Sequence, residues 1–216
     1  MKKYIYIIFL ILLSGCTKQE EIITKKENPV FASDQSIYFL WDSITAWYLL
    51  PIEKSFPVLV WKKLNIKTIN AWKSWDTSKW LRERLQWTIE DASSWDIVFI
   101  LIWWNDWLQW LPIKSLKENL LYIIDKTKSK NLVPIIWQMQ IPTNLDSRYR
   151  YNFENIYLDV SVETNSIIMK SFLSEVWWIP EYNLIDGIHP NEIWHKILWD
   201  NIVNFINKNN LIYYVK

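Results

Sequence analysis

At 216 residues the chain is long enough for one compact domain with a real core, and too short to expect two. A formal charge of +1 excludes a strongly basic nucleic-acid binder and an acidic disordered tail, and 50% hydrophobic residues exclude wholesale disorder. The anomaly is 17 Trp against 2 Gly, where an ordinary ~7% of Gly would supply about 15.

Lys2 and Lys3, an apolar run from Tyr4 to Leu13 and the small pair Ser14-Gly15 form a charged start, a short hydrophobic stretch and a cleavage point. This is the pattern of an export signal over residues 1–15. About ten apolar residues are too few to span a bilayer, which needs roughly 20. Leu13-Ser14-Gly15-Cys16 resembles the bacterial lipobox, which implies that the Cys16 thiol is lipidated and becomes the first mature residue. An ordinary signal peptide or a short uncleaved anchor is the alternative. Either way export is expected, and a lipid on Cys16 would hold the protein on a periplasmic or other extracytoplasmic membrane face. As the lone cysteine, Cys16 excludes an internal disulfide framework and a cysteine-based zinc cluster. Residues 16–34 are polar, charge-mixed and aperiodic, which suits a flexible tether, so the folded domain is expected over residues 35–210.

From there, runs rich in β-branched residues predict strands at Ser36 to Leu40, Ile66 to Ile69, Asp96 to Ile102, Leu132 to Met139 and Ser166 to Met169. Amphipathic stretches predict helices at Pro51 to Lys63, Thr77 to Ala92, Ile113 to Lys130, Tyr149 to Val162 and Pro190 to Asn207. Such alternation means a mostly parallel sheet covered on both faces. No fixed period connects the Trp positions, so a repeat array is not supported.

Ligands of open parallel sheets bind beyond the carboxyl ends of the strands. The loops expected there carry Trp41-Asp42-Ser43, Ser74-Trp75-Asp76-Thr77-Ser78 and Trp103-Trp104-Asn105-Asp106, and Asp186-Gly187-Ile188-His189-Pro190 stands ahead of the last helix. That is an inventory for acyl transfer. Ser43 can attack a carbonyl, His189 can take and return its proton, and Asp186 can orient the imidazole. The Asn105 amide and the Ser43 backbone N–H can hold the developing oxyanion. Each residue also has a plainer reading. Ser43 could cap the next helix, and Asp186 and His189 could be a capping carboxylate and a surface histidine before a helix starting at Pro190. Asn105 could close a turn through its own backbone and Asp106 suits a structural role of that kind, His195 lies mid-helix in a packing or surface role, and Arg148 and Arg150 suit a solvated face or an anionic head group.

If Trp41, Trp47, Trp75, Trp103 and Trp104 are read as Gly, the blocks become G-D-S-I-T-A-G, S-G-D-T-S and G-G-N-D. These resemble the first three signature blocks of the SGNH/GDSL hydrolases, and D-G-I-H-P-N resembles the last. The set is most similar to the bacterial arylesterase and acyl-CoA thioesterase I/lysophospholipase L1 branch, a resemblance covering about Ile37 to Ile202. It implies a flavodoxin-like three-layer α/β/α sandwich with a mostly parallel five-stranded sheet. It also implies ester hydrolysis through an acyl-serine intermediate, on lysophospholipid, short-chain or aryl esters, with thioesters as a further class. It adds the backbone N–H of Trp75 as an oxyanion donor, and it implies neither metal nor organic cofactor and no oligomeric state. A carbohydrate acetylesterase, or a non-catalytic lipoprotein binding module on the same fold, is the competing expectation.

Where the family motifs want glycine, this sequence mostly shows tryptophan. A source that decodes UGA as glycine, with the gene translated conceptually as if UGA were Trp, would produce this pattern, and ordinary glycine codons would leave Gly15 and Gly187. A turn needing φ > 0, or a backbone N–H that must approach a substrate, tolerates Gly and not an indole. The alternative is a diverged Trp-rich protein presenting aromatic platforms to sugars or lipids.

Overall fold

Ile97–Leu101 contains no polar side chain and so has no face to offer water, which suits the middle of a sheet covered on both sides. The computed structural model describes residues 33–42, 50–140, 146–170, 179–185 and 189–213, which belong to one compact unit, Phe31–Lys216. In it Ile97–Leu101 is the central strand, buried throughout. The elements in order are β1 (Ser36–Trp41), α1 (Phe56–Leu64), β2 (Lys67–Asn70), α2 (Ser78–Thr88), β3 (Ile97–Leu101) and α3 (Trp104–Leu108), followed by α4 (Ile113–Ser129), β4 (Val133–Trp137), α5 (Ser147–Thr164), β5 (Ile167–Met169) and α6 (Glu192–Lys208). The five strands are parallel in the order β2-β1-β3-β4-β5, with Trp41 opposite Leu101 at the carboxyl end of the β1/β3 pair. Helix α1 packs on α6, while α2, α4 and α5 pack in a row, so the sheet lies between two helical layers as expected.

Three element boundaries depart from expectation for physical reasons. The stretch from Pro51 opens with a single 3-10 turn, Ile52–Lys54, and α1 starts only at Phe56, with Pro57 in the first turn where its missing N–H costs nothing. Helix α2 stops at Thr88 rather than Ala92, because Ile89 leaves helical geometry as the chain turns back toward β3. The last helix begins after Asn191 rather than at Pro190, which forms an antiparallel bridge with Asn183. The Asn191 side chain accepts from the N–H groups of Ile193 (2.9 Å) and Trp194 (3.2 Å), the usual N-cap device. Helix α3 was not anticipated, since five residues hold too little period to recognise.

The left-handed positions bear on the Trp anomaly. Seven non-glycine residues among those described have positive φ, and they are Asn65, Asn131, Asn165, Asn210, Trp75, Trp95 and Trp110. Asparagine visits this region routinely, but for a bulky side chain it is an outlier costing roughly 1–2 kcal/mol. Trp75 (φ 61°) and Trp95 (φ 75°) each occupy the third position of a β-turn, closed by Asp76 N–H to Lys73 O and by Asp96 N–H to Ser93 O. Positive φ there defines the turn that asks for glycine. Trp110 (φ 55°) follows α3, with Leu111 N–H bonded to Asp106 O (2.9 Å) and Trp110 N–H to Trp107 O (3.0 Å). This is the Schellman arrangement, whose left-handed residue is usually glycine. The indoles of Trp75, Trp95 and Trp110 all project into solvent. Elsewhere the indole N–H groups of Trp107, Trp194 and Trp199 are buried and find no hydrogen-bond partner among the described residues. A buried orphan donor costs about 1–3 kcal/mol.

Candidate active site

The strand order reverses between β1 and β3, the kind of switch point at which open α/β sheets hold ligands in a crevice beyond the carboxyl ends of the strands. Residues 71–78 border it. They continue alongside β1, with Ala71 N–H bonded to Phe39 O (2.9 Å) and Lys73 N–H to Trp41 O (3.1 Å), then turn at Trp75 into α2. Thr77 caps that helix by accepting from Trp80 N–H at 3.3 Å.

Two buried contacts lock this loop to the start of α3. The Asn105 amide donates to the Asp76 main-chain carbonyl at 2.9 Å. The Asp106 carboxylate accepts from the Ser78 N–H (2.7 Å) and the Ser78 hydroxyl (2.5 Å), while Asn119 donates to the same hydroxyl at 2.9 Å. Burial pushes the Asp106 carboxyl above the ordinary carboxylate value, and the two Ser78 contacts pull it back. Burial likewise raises Asp76, opposed first by its bond to Arg84. Asp106 is structural, but through bonds to Ser78 far along the chain rather than by closing a local turn as expected. Asn105 and the peptide of Trp75, expected to serve one oxyanion, are brought onto one locked unit.

His189 is half-buried in the turn before α6. Its carbonyl accepts from Leu184 N–H at 2.8 Å, and Asn191 holds the following residues by donating to Glu181 O at 2.7 Å as well as capping α6. Ser43, Asp186 and Cys16 lie outside the described residues, as do the signal segment and all but the last two residues of the expected tether. Beside the crevice, Asp42 is buried and the Tyr157 hydroxyl is fully buried. Burial first, then the charges of Asp106 and Asp42, push that phenol well above its ordinary value. The indoles of Trp103, Trp104 and Trp107 meet one another edge-on or tilted, and Trp103 meets the Phe153 ring edge-on, with centroid separations of 5.0 Å for Trp103–Trp104 and 5.2 Å for Trp103–Phe153. As literal side chains they crowd the chain on either side of Asn105.

His195 is buried and takes the packing role. Its Nδ1 accepts the Phe56 N–H at 3.4 Å, and its ring stacks on the Phe56 ring. Among the described residues no cluster of His, Cys, Asp or Glu could hold a metal ion. The sequence reading missed Arg84, Ser78 and Asn119. Arg84 did leave a signal, since it falls in the row Leu81, Leu85, Thr88 on the inward side of α2, where a guanidinium needs a partner.

No protein-family model matches the chain. An arylesterase of Vibrio mimicus is 31% identical over 163 residues, which is 73% of this chain and 81% of that protein. The thioesterase 1/protease 1/lysophospholipase L1 of Escherichia coli K12 is 29% identical over 163 residues, covering 74% of this chain and 77% of that protein. Among solved structures, the psychrotrophic esterase EstA from Pseudoalteromonas sp., inhibited by monoethylphosphonate, superposes with a TM-score of 0.75 at 27% identity, over 82% of this chain and 99% of its own. AlinE4, an SGNH-hydrolase family esterase, shares the fold with a TM-score of 0.66 at 22% identity, over 83% and 98% respectively. The arylesterase match extends over most of both sequences, its level of identity is that of shared descent, and the fold superposes on that of these esterases: the chain belongs to the SGNH/GDSL hydrolases.

Proposed function

We propose that the protein is an exported, lipid-anchored serine esterase. Ser43 attacks the carbonyl of a carboxylic ester, His189 takes the proton and returns it to the leaving group, and Asp186 orients the imidazole. The Ser43 and position-75 N–H groups, with the Asn105 amide, hold the oxyanion, and water then clears the acyl-serine. The observation that carries this reading is the lock between Asn105 and the 71–78 loop at the β1/β3 switch point, which ties the Asn105 amide and the position-75 turn into one hydrogen-bonded unit. Family membership supports ester chemistry, and the Cys16 motif supports the anchor. Outside the cytoplasm acyl-CoA is scarce, so lysophospholipid or short-chain and aryl esters are the physiological substrates rather than thioesters.

The same reading takes the 17 Trp as glycine in the working protein. Three left-handed Trp at glycine-type turn positions, three buried orphan indole N–H groups and the indoles crowded beside Asn105 support it. UGA codons at positions 75, 95 and 110 are expected in the gene, and UGG at those positions would overturn it. Protein made with glycine at all 17 positions should hydrolyse p-nitrophenyl acetate or butyrate and lose that activity in Ser43→Ala. A folded, glycine-bearing protein inert toward esters, thioesters and acetylated sugars would refute the enzymatic reading. Cys16→Ser should release the protein from the membrane fraction, and retention there would refute the anchor.

A further inference from the structure

Arg84 makes contacts that the proposed chemistry does not use. Its Nε and Nη2 donate to one carboxylate oxygen of Asp76 at 2.8 and 2.6 Å, Nη2 also donates to Ala71 O at 2.8 Å, and Nη1 donates to Thr88 Oγ1 at 3.1 Å. Ala71 is bonded to β1, and Asp76, fully buried, presents its main-chain carbonyl to Asn105. One guanidinium therefore ties the end of β1, the turn at position 75 and the Asn105 amide together. A side-chain amide nitrogen carries two hydrogens. With one committed to Asp76 O, the amide plane is fixed and the other hydrogen has a single direction to point.

We propose that Arg84 is a positioning residue for the oxyanion hole, acting through Asp76 to fix the position-75 peptide and the free hydrogen of the Asn105 amide. The proposal rests on the reading of those two groups as oxyanion donors. Holding such donors pre-aligned matters because a misplacement of about 1 Å can cost on the order of 10²-fold in rate. Arginine suits this post, since only its planar fork reaches a carboxylate and two other acceptors at once.

The test is a double-mutant cycle in the full chain carrying glycine at the Trp positions. Asn105→Ala should lower kcat about 10²- to 10³-fold on a p-nitrophenyl ester. Arg84→Met should lower kcat roughly 10- to 100-fold with KM within about twofold, slow inactivation by an alkyl phosphonate in parallel, and be partly rescued by Arg84→Lys. In the Asn105→Ala background, Arg84→Met should lower kcat clearly less than it does in the parent, because one of the two donors it positions is already gone. Full additivity, or an Arg84→Met enzyme with unchanged kcat, overturns the positioning role while leaving the oxyanion reading intact. An Asn105→Ala enzyme with unchanged kcat overturns the oxyanion reading itself, and the positioning role with it. If Arg84→Met does not fold, Asp76→Asn keeps the shape and an acceptor for Arg84 while removing the charge, and the same criterion of non-additivity decides.

Discussion

The most quantitative consequence of this structure concerns His195. Its ring is fully buried between α6 and α1, Nδ1 accepts the first N–H of α1, and Nε2 has no partner among the described residues. Desolvation lowers its pKa from the ordinary 6.5 to about 4. In the unfolded chain the imidazole takes up a proton near pH 6.5, whereas the folded protein resists until about pH 4. The neutral ring's contribution is therefore fully present above pH 6.5, declines as pH falls through the window between these values, and is gone below about pH 4. At 1.36 kcal/mol per pKa unit, that loss is about 3 kcal/mol, a large fraction of the ~5–15 kcal/mol that holds a domain together. Urea unfolding followed by circular dichroism at steps from pH 7.5 to 4.5 measures it. The comparison is His195→Asn, which keeps an acceptor for Phe56 N–H and cannot titrate. Carboxyls raised by burial, Asp76 and Asp106, titrate in both proteins with the opposite sign and cancel in the difference. The parent should lose about 2–3 kcal/mol more than the variant over this range, most of the full effect. Identical pH slopes would refute the burial argument.

Two further outcomes follow from the caps and turns. Asn191→Ala removes the α6 cap and the tether to Glu181 O, so it should cost about 1–2 kcal/mol in urea unfolding and, through slackened His189, lower kcat more than it changes KM. In the literal-Trp protein, Trp110→Gly and Trp95→Gly should each stabilise by about 1–2 kcal/mol in thermal unfolding, whereas Trp87→Gly, inside helix α2 at an exposed position, should destabilise by up to about 1 kcal/mol.

With glycine at the Trp positions the crevice changes character. Four of the buried or half-buried indoles, at positions 41, 103, 104 and 107, lie at or just beyond the carboxyl ends of β1 and β3. Removing them would open room at that edge of the sheet, where the proposed reading puts the acyl group. Removing the buried indoles at 137 and 194 instead leaves room in the core, which neighbouring aliphatic side chains would close in part.

Strand–helix alternation pointed to an α/β class, and the unbroken apolar run of β3 fits a central strand covered on both faces; the five-stranded three-layer sandwich came from the family resemblance. Motif chemistry in the loops supplied Ser43, Asp186, His189 and Asn105 as candidates, because Asp-Ser, Asn-Asp and Asp-x-x-His fall in family order at the loops expected beyond the strand ends. The Trp and Gly counts flagged the anomaly, and backbone geometry at positions 75, 95 and 110 then gave it a physical cost. Tertiary structure was needed for Arg84, Ser78 and Asn119. Ser78 and Asn119 act across the α2/α4 and α2/α3 contacts, by bonds between residues 28 to 41 positions apart that leave no local periodicity to read, whereas Arg84 showed its inward place on α2 but not its partner Asp76 in the preceding loop. The same holds for His195: whether a mid-helix imidazole meets water or the first N–H of a distant helix depends on how α6 lies against α1, which no single element encodes.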